Sequence, residues 1–270
     1  MLVFLYPPFS PSKNVTIGSI EIKQIENFQV LNNKDDLRLY LQPICNIDHK
    51  IRGFETLSRV VQNGVCISPE DMVLRMERNN TISELDLFVL KELSEVMKTI
   101  DIEGEFVTVN LSAITLANND VIDELIEYGE KIIAHGKYVY FEITETAKGD
   151  LNNIVVNSKA LIARNIGVIL DDYGSGYNTF GLLGKIEAKA VKISKEILDD
   201  LSDYRTYFMM VRLIKLFKEM GAEVIIEGVE RTEQINIIQK VGVDYMQGYL
   251  FGKPMHYKDF DMNQKKISNI

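Results

Sequence analysis

Apolar and polar positions follow two rhythms along this chain, and the rhythms become regular from Leu37 onward. Leu37–Ile44 (LRLYLQPI) reads as a strand, a turn around Asn46–Lys50 follows, and Arg52–Val61 reads as a second strand. So short a link predicts an antiparallel pair. Pro69–Arg78 and Ser83–Thr99 read as helices, the second with Leu85, Phe88, Val89, Leu93 and Val96 at helical spacing. Strand and helix then alternate. Strands are predicted at Glu105–Leu111, Tyr138–Ile143, Gly167–Leu170, Ala190–Ile193, Glu223–Ile226 and Asp244–Met246. Between them fall helices at Asp120–Ala134, Ile154–Arg164, Tyr204–Met220 and Thr232–Val241, and a Gly-rich loop after Leu170. Repeated βα units of this length predict a parallel sheet covered by helices, and their number favours closure. The expected fold is an α/β, TIM-like (β/α)8 barrel with an antiparallel first strand.

The length of 270 residues suits one such barrel. Residues 1–36 read as an N-terminal extension, 37–258 as the barrel domain and 259–270 as a polar tail. Val15–Ile22 in the extension carries β-branched residues of strand type. The opening MLVFLYPPFSPS has neither the basic leader of a signal peptide nor the length of a membrane span. No membrane insertion is therefore expected.

Charge narrows the partners. Thirty basic and 39 acidic residues leave a net charge of -9, which argues against a grip on duplex nucleic acid. An anionic ligand then needs local neutralisation by a few cations. The two cysteines, Cys45 and Cys66, form no CxxC, so neither a disulfide framework nor a zinc site is expected, and the cytoplasm is the expected compartment. His49, His135 and His256 form no ligand pair at helical spacing.

The chemistry lies at the strand ends. FVTV runs into Asn110, YVYF into Glu142, VIL into Asp171 and Asp172, AV into Lys192, EVII into Glu227 and DYM towards Gln247, while the second early strand carries Glu55. A carboxylate in an apolar strand is costly unless paired or bound to a cation. One such residue is usually a helix cap or a surface charge. In a barrel, however, all these strand ends meet on one rim. Glu55, Asn110, Glu142, Asp171, Asp172 and Glu227 together suit hard cations, Mg2+ or Mn2+, and so many carboxylates favour two ions. Asp171–Tyr177 (DDYGSGY) reads as a ligand-bearing loop, because it lacks the third Gly of a dinucleotide fingerprint.

These segments resemble the EAL-domain family of cyclic di-GMP phosphodiesterases, in the family's order, from about Leu37 to Pro254. The signature tripeptide stands as Glu55-Thr56-Leu57. It is joined by Gln42-Pro43-Ile44, Asn110–Ser112, Glu142–Glu145, Asp171–Tyr177, Val191–Ile193, Glu227–Glu230 and Gln247–Pro254. The resemblance implies metal-dependent hydrolysis of cyclic di-GMP to linear pGpG, with Mg2+ or Mn2+ as cofactor and a homodimer as the working form. It implies that Glu55, Asn110, Glu142, Asp171, Asp172 and Glu227 hold the metals, with Asp171 bridging, and that Lys192 positions the attacking water. Gln247 would lie near that water, and Glu145 would hold the DDYGSGY loop in place. Gln42, Leu57 and Arg59 would contact substrate, Arg59 through its forked donors. Thr56, Val60, Tyr173, Ser175 and Ser194 depart from the usual residues, and none is an expected metal ligand. An EAL-like receptor that binds cyclic di-GMP or a protein partner without turnover, and an enolase-like lyase, are the rival readings.

Overall fold

The computed structural model describes residues 37–62, 65–67, 69–99, 106–144, 149–174 and 180–259. The expected extension 1–36, its Val15–Ile22 strand, Glu145, Ser175–Tyr177 and the tail beyond Asp259 lie outside the described residues.

Among the described residues, ten strands occur in the order β1 (Leu37–Asn46), β2 (Ile51–Gln62), β3 (Val65–Ile67), β4 (Phe106–Asn110), β5 (Tyr138–Thr144), β6 (Gly167–Tyr173), β7 (Ala190–Ile193), β8 (Glu223–Ile226), β9 (Tyr245–Gln247) and β10 (Met255–His256). Eight close into a barrel, β1-β9-β8-β7-β6-β5-β4-β2 and back to β1. β1 is antiparallel to both its barrel neighbours, β2 and β9, and the remaining barrel pairings are parallel. The barrel with one reversed strand is therefore the observed fold. β3 pairs antiparallel with the end of β2, and β10 pairs antiparallel with β1.

The helices are α1 (Glu70–Arg78), α2 (Ile82–Val96), α3 (Ala113–Ala117), α4 (Ile122–Ala134), α5 (Leu151–Ile162), α6 (Phe180–Leu183), α7 (Lys195–Asp200), α8 (Tyr204–Glu219) and α9 (Thr232–Val241). Local chemistry sets several of their ends. Asp203 opens α8 by accepting from Arg205 and Thr206 backbone N–H, and Gly242, at φ 85°, closes α9. Asp150 caps α5 through Asn153 N, so that helix starts three residues before its first periodic apolar position, Ile154. α3, α6 and α7, of four to six residues, are too short to show a period and have no counterpart in the hydrophobic pattern.

Strand alternation divides the core in two. One set of residues, including Val107, Val109, Val139, Phe141, Val168, Leu170, Val191, Val224 and Ile226, packs outward under the helices. The intervening set, Ile44, Phe106, Ile169, Ala190 and Ile225 with Tyr140 and Tyr245, fills the barrel itself. The filling is tight. A Cβ on Gly53 would lie 2.3 Å from the Phe106 ring. Glycine on β2 thus makes room for an aromatic plug, and that plug forms a dry floor beneath the rim.

Candidate active site

On β2 the face that carries Gly53 carries Glu55, Leu57 and Arg59 in turn, since side chains repeat every second residue. Strand register brings the other functional groups to the same height. Gln42 pairs with Glu55, Asn110 with Glu142, and Thr144 with Asp171. Lys192 follows the floor residue Ala190 by two, Glu227 follows Ile225 by two, and Gln247 follows Tyr245 by two. β5 to β9 therefore each supply an apolar or aromatic residue to the floor and, one inward step later, a polar residue to the rim.

Asp171 and Asp172 break this alternation. In a regular strand they would face opposite sides of the wall. Here the β6–β7 register shifts between Leu170 and Tyr173, and Asp172 takes φ 57°, in the left-handed region. The irregularity turns Asp172 back towards the rim, a known use of strand bulges. Oxygens of Asp171, Asp172 and Glu227 then lie within 4.8 Å of one another. β6 thus runs on as strand through Tyr173, where a loop was expected after Leu170.

Lys192 stands at the centre, 1% exposed. Its Nζ lies 2.7 Å from Glu227, 2.9 Å from Glu142, 3.3 Å from Asp171 and 3.7 Å from Glu55. Burial would strip its proton, but the four carboxylates outweigh that and hold it well above the ordinary lysine range. Burial also pushes Glu142 far up, against the pull of Lys192, and pushes Glu227 up to about 8. Asp172 is raised by burial and by its neighbour Asp171.

Amides complete the ring. Asn110 donates to Glu55 Oε1 at 2.9 Å and Gln247 to Glu55 Oε2 at 2.5 Å. Gln247 also donates to Gln42, which in turn donates to the Gly252 carbonyl, both at 3.2 Å. Glu142 Oε1 is buried without a hydrogen-bond partner, and Asp171 Oδ1 is buried with only the Lys192 ammonium, at 3.3 Å, beside it. Buried carboxylate oxygens with so few partners, in a ring of further oxygen donors, fit a hard divalent cation, which needs such ligands and supplies the missing charge.

A cavity of about 350 Å³ opens beside the ring, lined by Gln42, Glu55, Leu57, Glu227, Gln247 and others. Arg59, on the same strand face, turns its guanidinium to the Ser58 carbonyl at 2.8 Å. Five lining residues, Lys195, Gly228, Glu230, Gly248 and Tyr249, were given no role from the sequence. Lys195 pairs with Glu230 at 2.6 Å, and Tyr249, 57% exposed, stands at the mouth. Tyr249 adjoins Gly248, where a Cβ would meet the Val229 carbonyl oxygen at 2.1 Å. Backbone bonds Val229 N to Gln247 O and Leu250 N to Val229 O lock these two loops together. No spacing rule connects the loops in sequence.

The fold and the site together define a closed (β/α)8-type barrel whose strand ends gather carboxylates around one buried lysine. The EAL domain family model matches residues 25–254, and the chain belongs to that family. A probable cyclic di-GMP phosphodiesterase, PdeA of Escherichia coli (strain K12), is 30% identical over 232 residues, 84% of this chain and 32% of the relative. The cyclic di-GMP phosphodiesterase NbdA of Pseudomonas aeruginosa is 24% identical over 243 residues, covering 87% and 31%. The chain thus spans about a third of the length of these curated relatives. Two solved structures share the fold. The FimX EAL domain of Pseudomonas aeruginosa, bound to c-di-GMP, matches at TM-score 0.76 and 20% identity, over 87% of this chain and 97% of that one. A calcium/cyclic di-GMP complex of Klebsiella pneumoniae BlrP1 matches at 0.72 and 23%, over 83% and 57%. Among the described residues no helix is long and apolar enough to cross a membrane.

Proposed function

We propose that this chain hydrolyses one 3′–5′ phosphodiester bond of cyclic di-GMP, releasing linear pGpG, with Mg2+ or Mn2+ as cofactor. The observation that carries the reading is the buried ring itself: Glu55, Glu142, Asp171 and Glu227 converge on one lysine, with carboxylate oxygens left over. The names of the EAL-family relatives supply the substrate.

In this reading Glu55, Asn110, Glu142, Asp171, Asp172 and Glu227 hold two cations. When bound, the cations polarise the phosphate and ease deprotonation of water. The chain's own groups do the rest. The dry floor under the ring keeps bulk water from reaching the reacting phosphorus from below. Lys192, held protonated, donates to the attacking water and keeps its lone pair directed at phosphorus. The new P–O bond forms as the ribose 3′-oxygen leaves, and the water proton ends on that oxygen. Gln247 orients the water through its amide, while Gln42, Leu57 and Arg59 contact the nucleotide. Arg59 must release the Ser58 carbonyl to reach a phosphate. Glu145 steadies the loop that follows Asp172. The 37–258 segment acts as the catalytic domain, in the cytoplasm and as a homodimer.

The test is to incubate the purified chain with cyclic di-GMP and Mg2+ or Mn2+ and follow pGpG by chromatography. Product that disappears in Glu55→Ala supports the reading. Tight binding with no product under either metal overturns it in favour of a receptor.

A further inference from the structure

Asp86 is the one charged side chain among the buried residues of α2, which otherwise presents Ile82, Leu85, Val89, Leu90, Leu93 and Val96 to the core. It is neither a member of the oxygen-donor ring nor a lining residue of the cavity beside it, and none of the roles above uses it. Its Oδ2 accepts from Ser112 backbone N–H at 3.0 Å and from Thr115 Oγ1 at 2.5 Å. Glu77 on α1 accepts from Ser112 Oγ at 3.1 Å. A buried carboxylate costs free energy, and capping of α3 does not explain it. Ser112 already caps α3, its own Oγ accepting from Ile114 N at 3.3 Å. Asp86 instead grips the peptide N–H upstream of that helix, in the turn that leaves β4.

The same turn is tied from the barrel side, where Leu111 N donates to the Glu142 carbonyl at 2.8 Å. Immediately before these two ties stands Asn110, whose Nδ2 donates to Glu55 Oε1 at 2.9 Å. With its NH2 directed to Glu55, the amide has its Oδ1 free to act as a donor atom. The direction of that amide depends on the backbone of a turn that Asp86 and Glu142 hold between them.

We infer that Asp86 is a positioning residue for the candidate active site: by fixing the turn after β4 it keeps the Asn110 amide on Glu55 and so keeps the oxygen-donor ring assembled. The inference rests on the reading of Asn110 as a ring member. It extends the site's support to α2, outside the barrel wall. Groups that hold metal ligands in place typically affect affinity about 10–100-fold when removed.

The experiment combines a crystal structure of full-chain Asp86→Ala with Mn2+ titrations, read by the electron paramagnetic resonance of the free ion. The titrations cover the wild type, Asp86→Ala, Asp86→Asn, Asn110→Ala and the Asp86→Ala/Asn110→Ala double variant. The expected structure has the Asn110 amide beyond hydrogen-bonding distance of Glu55. The expected affinity for Mn2+ falls about tenfold in Asp86→Ala, recovers in Asp86→Asn, which retains an acceptor oxygen, and in the double variant equals that of Asn110→Ala alone. A purely structural role predicts losses that add. Where Asn110→Ala itself weakens Mn2+ binding, additive losses overturn the inference; so does an Asn110 still on Glu55 with Mn2+ affinity within about twofold of wild type. If Asn110→Ala leaves Mn2+ affinity unchanged while the amide is displaced in Asp86→Ala, positioning stands and Asn110 is no metal ligand. Should Asp86→Ala not fold, Asp86→Ser takes its place, since its hydroxyl is too short to reach Ser112.

Discussion

The Lys192 ammonium lies 2.9 Å from the Glu142 carboxylate, and both side chains are sealed from solvent, at 1% and 0% exposure. Neither charge has water to stabilise it, so each depends on the other and on Asp171, Glu227 and Glu55 around them. Removing one partner of such a group typically costs about 3–5 kcal/mol, because the remaining charge stays buried. Lys192→Met should therefore destabilise the metal-free chain by about that amount at pH 8. At pH 5 the loss should be smaller, since protonated carboxylates no longer need the ammonium. Urea unfolding in EDTA at the two pH values checks this. Mn2+ should restore part of the lost stability.

Burial holds Glu227 protonated up to about pH 8, with Asp171 and Glu55 adding to the effect and Lys192 opposing it. A cation that binds this carboxylate must expel the proton below that pH. Apparent Mn2+ affinity should accordingly fall at least about tenfold per pH unit below 8, since Glu142, which burial also raises, gives up its proton to the cation as well, and the slope should lessen above 8 as Glu227 ceases to contribute. Titrations from pH 6 to 9 read the slope. An affinity independent of pH over that range would show that Glu227 is not a ligand.

Asp86 is pushed up to about 7, chiefly by burial, against the pull of Thr115 and Ser112. An unfolded aspartate titrates near ~3.9. Because the folded value is the higher, its contribution to stability is complete below about pH 4 and is lost as pH rises towards 7. Asp86→Asn cannot titrate, so the pH slope of its unfolding free energy should be shallower than the wild type's between those limits. Denaturant melts at pH 4.5, 6 and 7.5, compared as wild type minus variant, isolate this group.

Gly248 admits no side chain, because a Cβ would meet the Val229 carbonyl oxygen at 2.1 Å and the Val229 nitrogen at 2.3 Å. Backbone atoms on a bonded loop cannot step aside as a flexible side chain can. Gly248→Ala should cost about 1–3 kcal/mol, the usual range for an overpacked site. Displacing Gln247 and Tyr249 should also raise KM for cyclic di-GMP more than it lowers kcat. An unchanged KM would show that this wall of the cavity does not touch the nucleotide.

Much of this was legible in the order of residues. Alternation placed β4, β5, β7 and β8 within a residue or two of their observed bounds, and the short Asn46–Lys50 link announced the reversed β1. Polar residues at the ends of apolar strands marked Glu55, Asn110, Glu142, Asp171, Lys192 and Glu227 before any geometry was known. Those features are local. A period of two decides which face a residue takes, and a carboxylate at the end of an apolar run is conspicuous wherever the run lies.

Closure decided the remainder. That Lys192 is a sealed hub touching four carboxylates follows from how far apart the strand ends stand, and barrel register sets those separations. Strict alternation sends Asp172 outward, and only the irregular β6–β7 register with a left-handed residue brings it back. Asp86 read as one more polar position on a helix until the fold set it against Ser112, 26 residues further along the chain. Sequence by itself determined the kind of elements and the kind of ligands, because both are written in short-range periodicity and side-chain chemistry. Which of those ligands meet, and what holds them together, was decided by the tertiary structure, because hydrogen bonds and ion pairs need contact within about 4 Å.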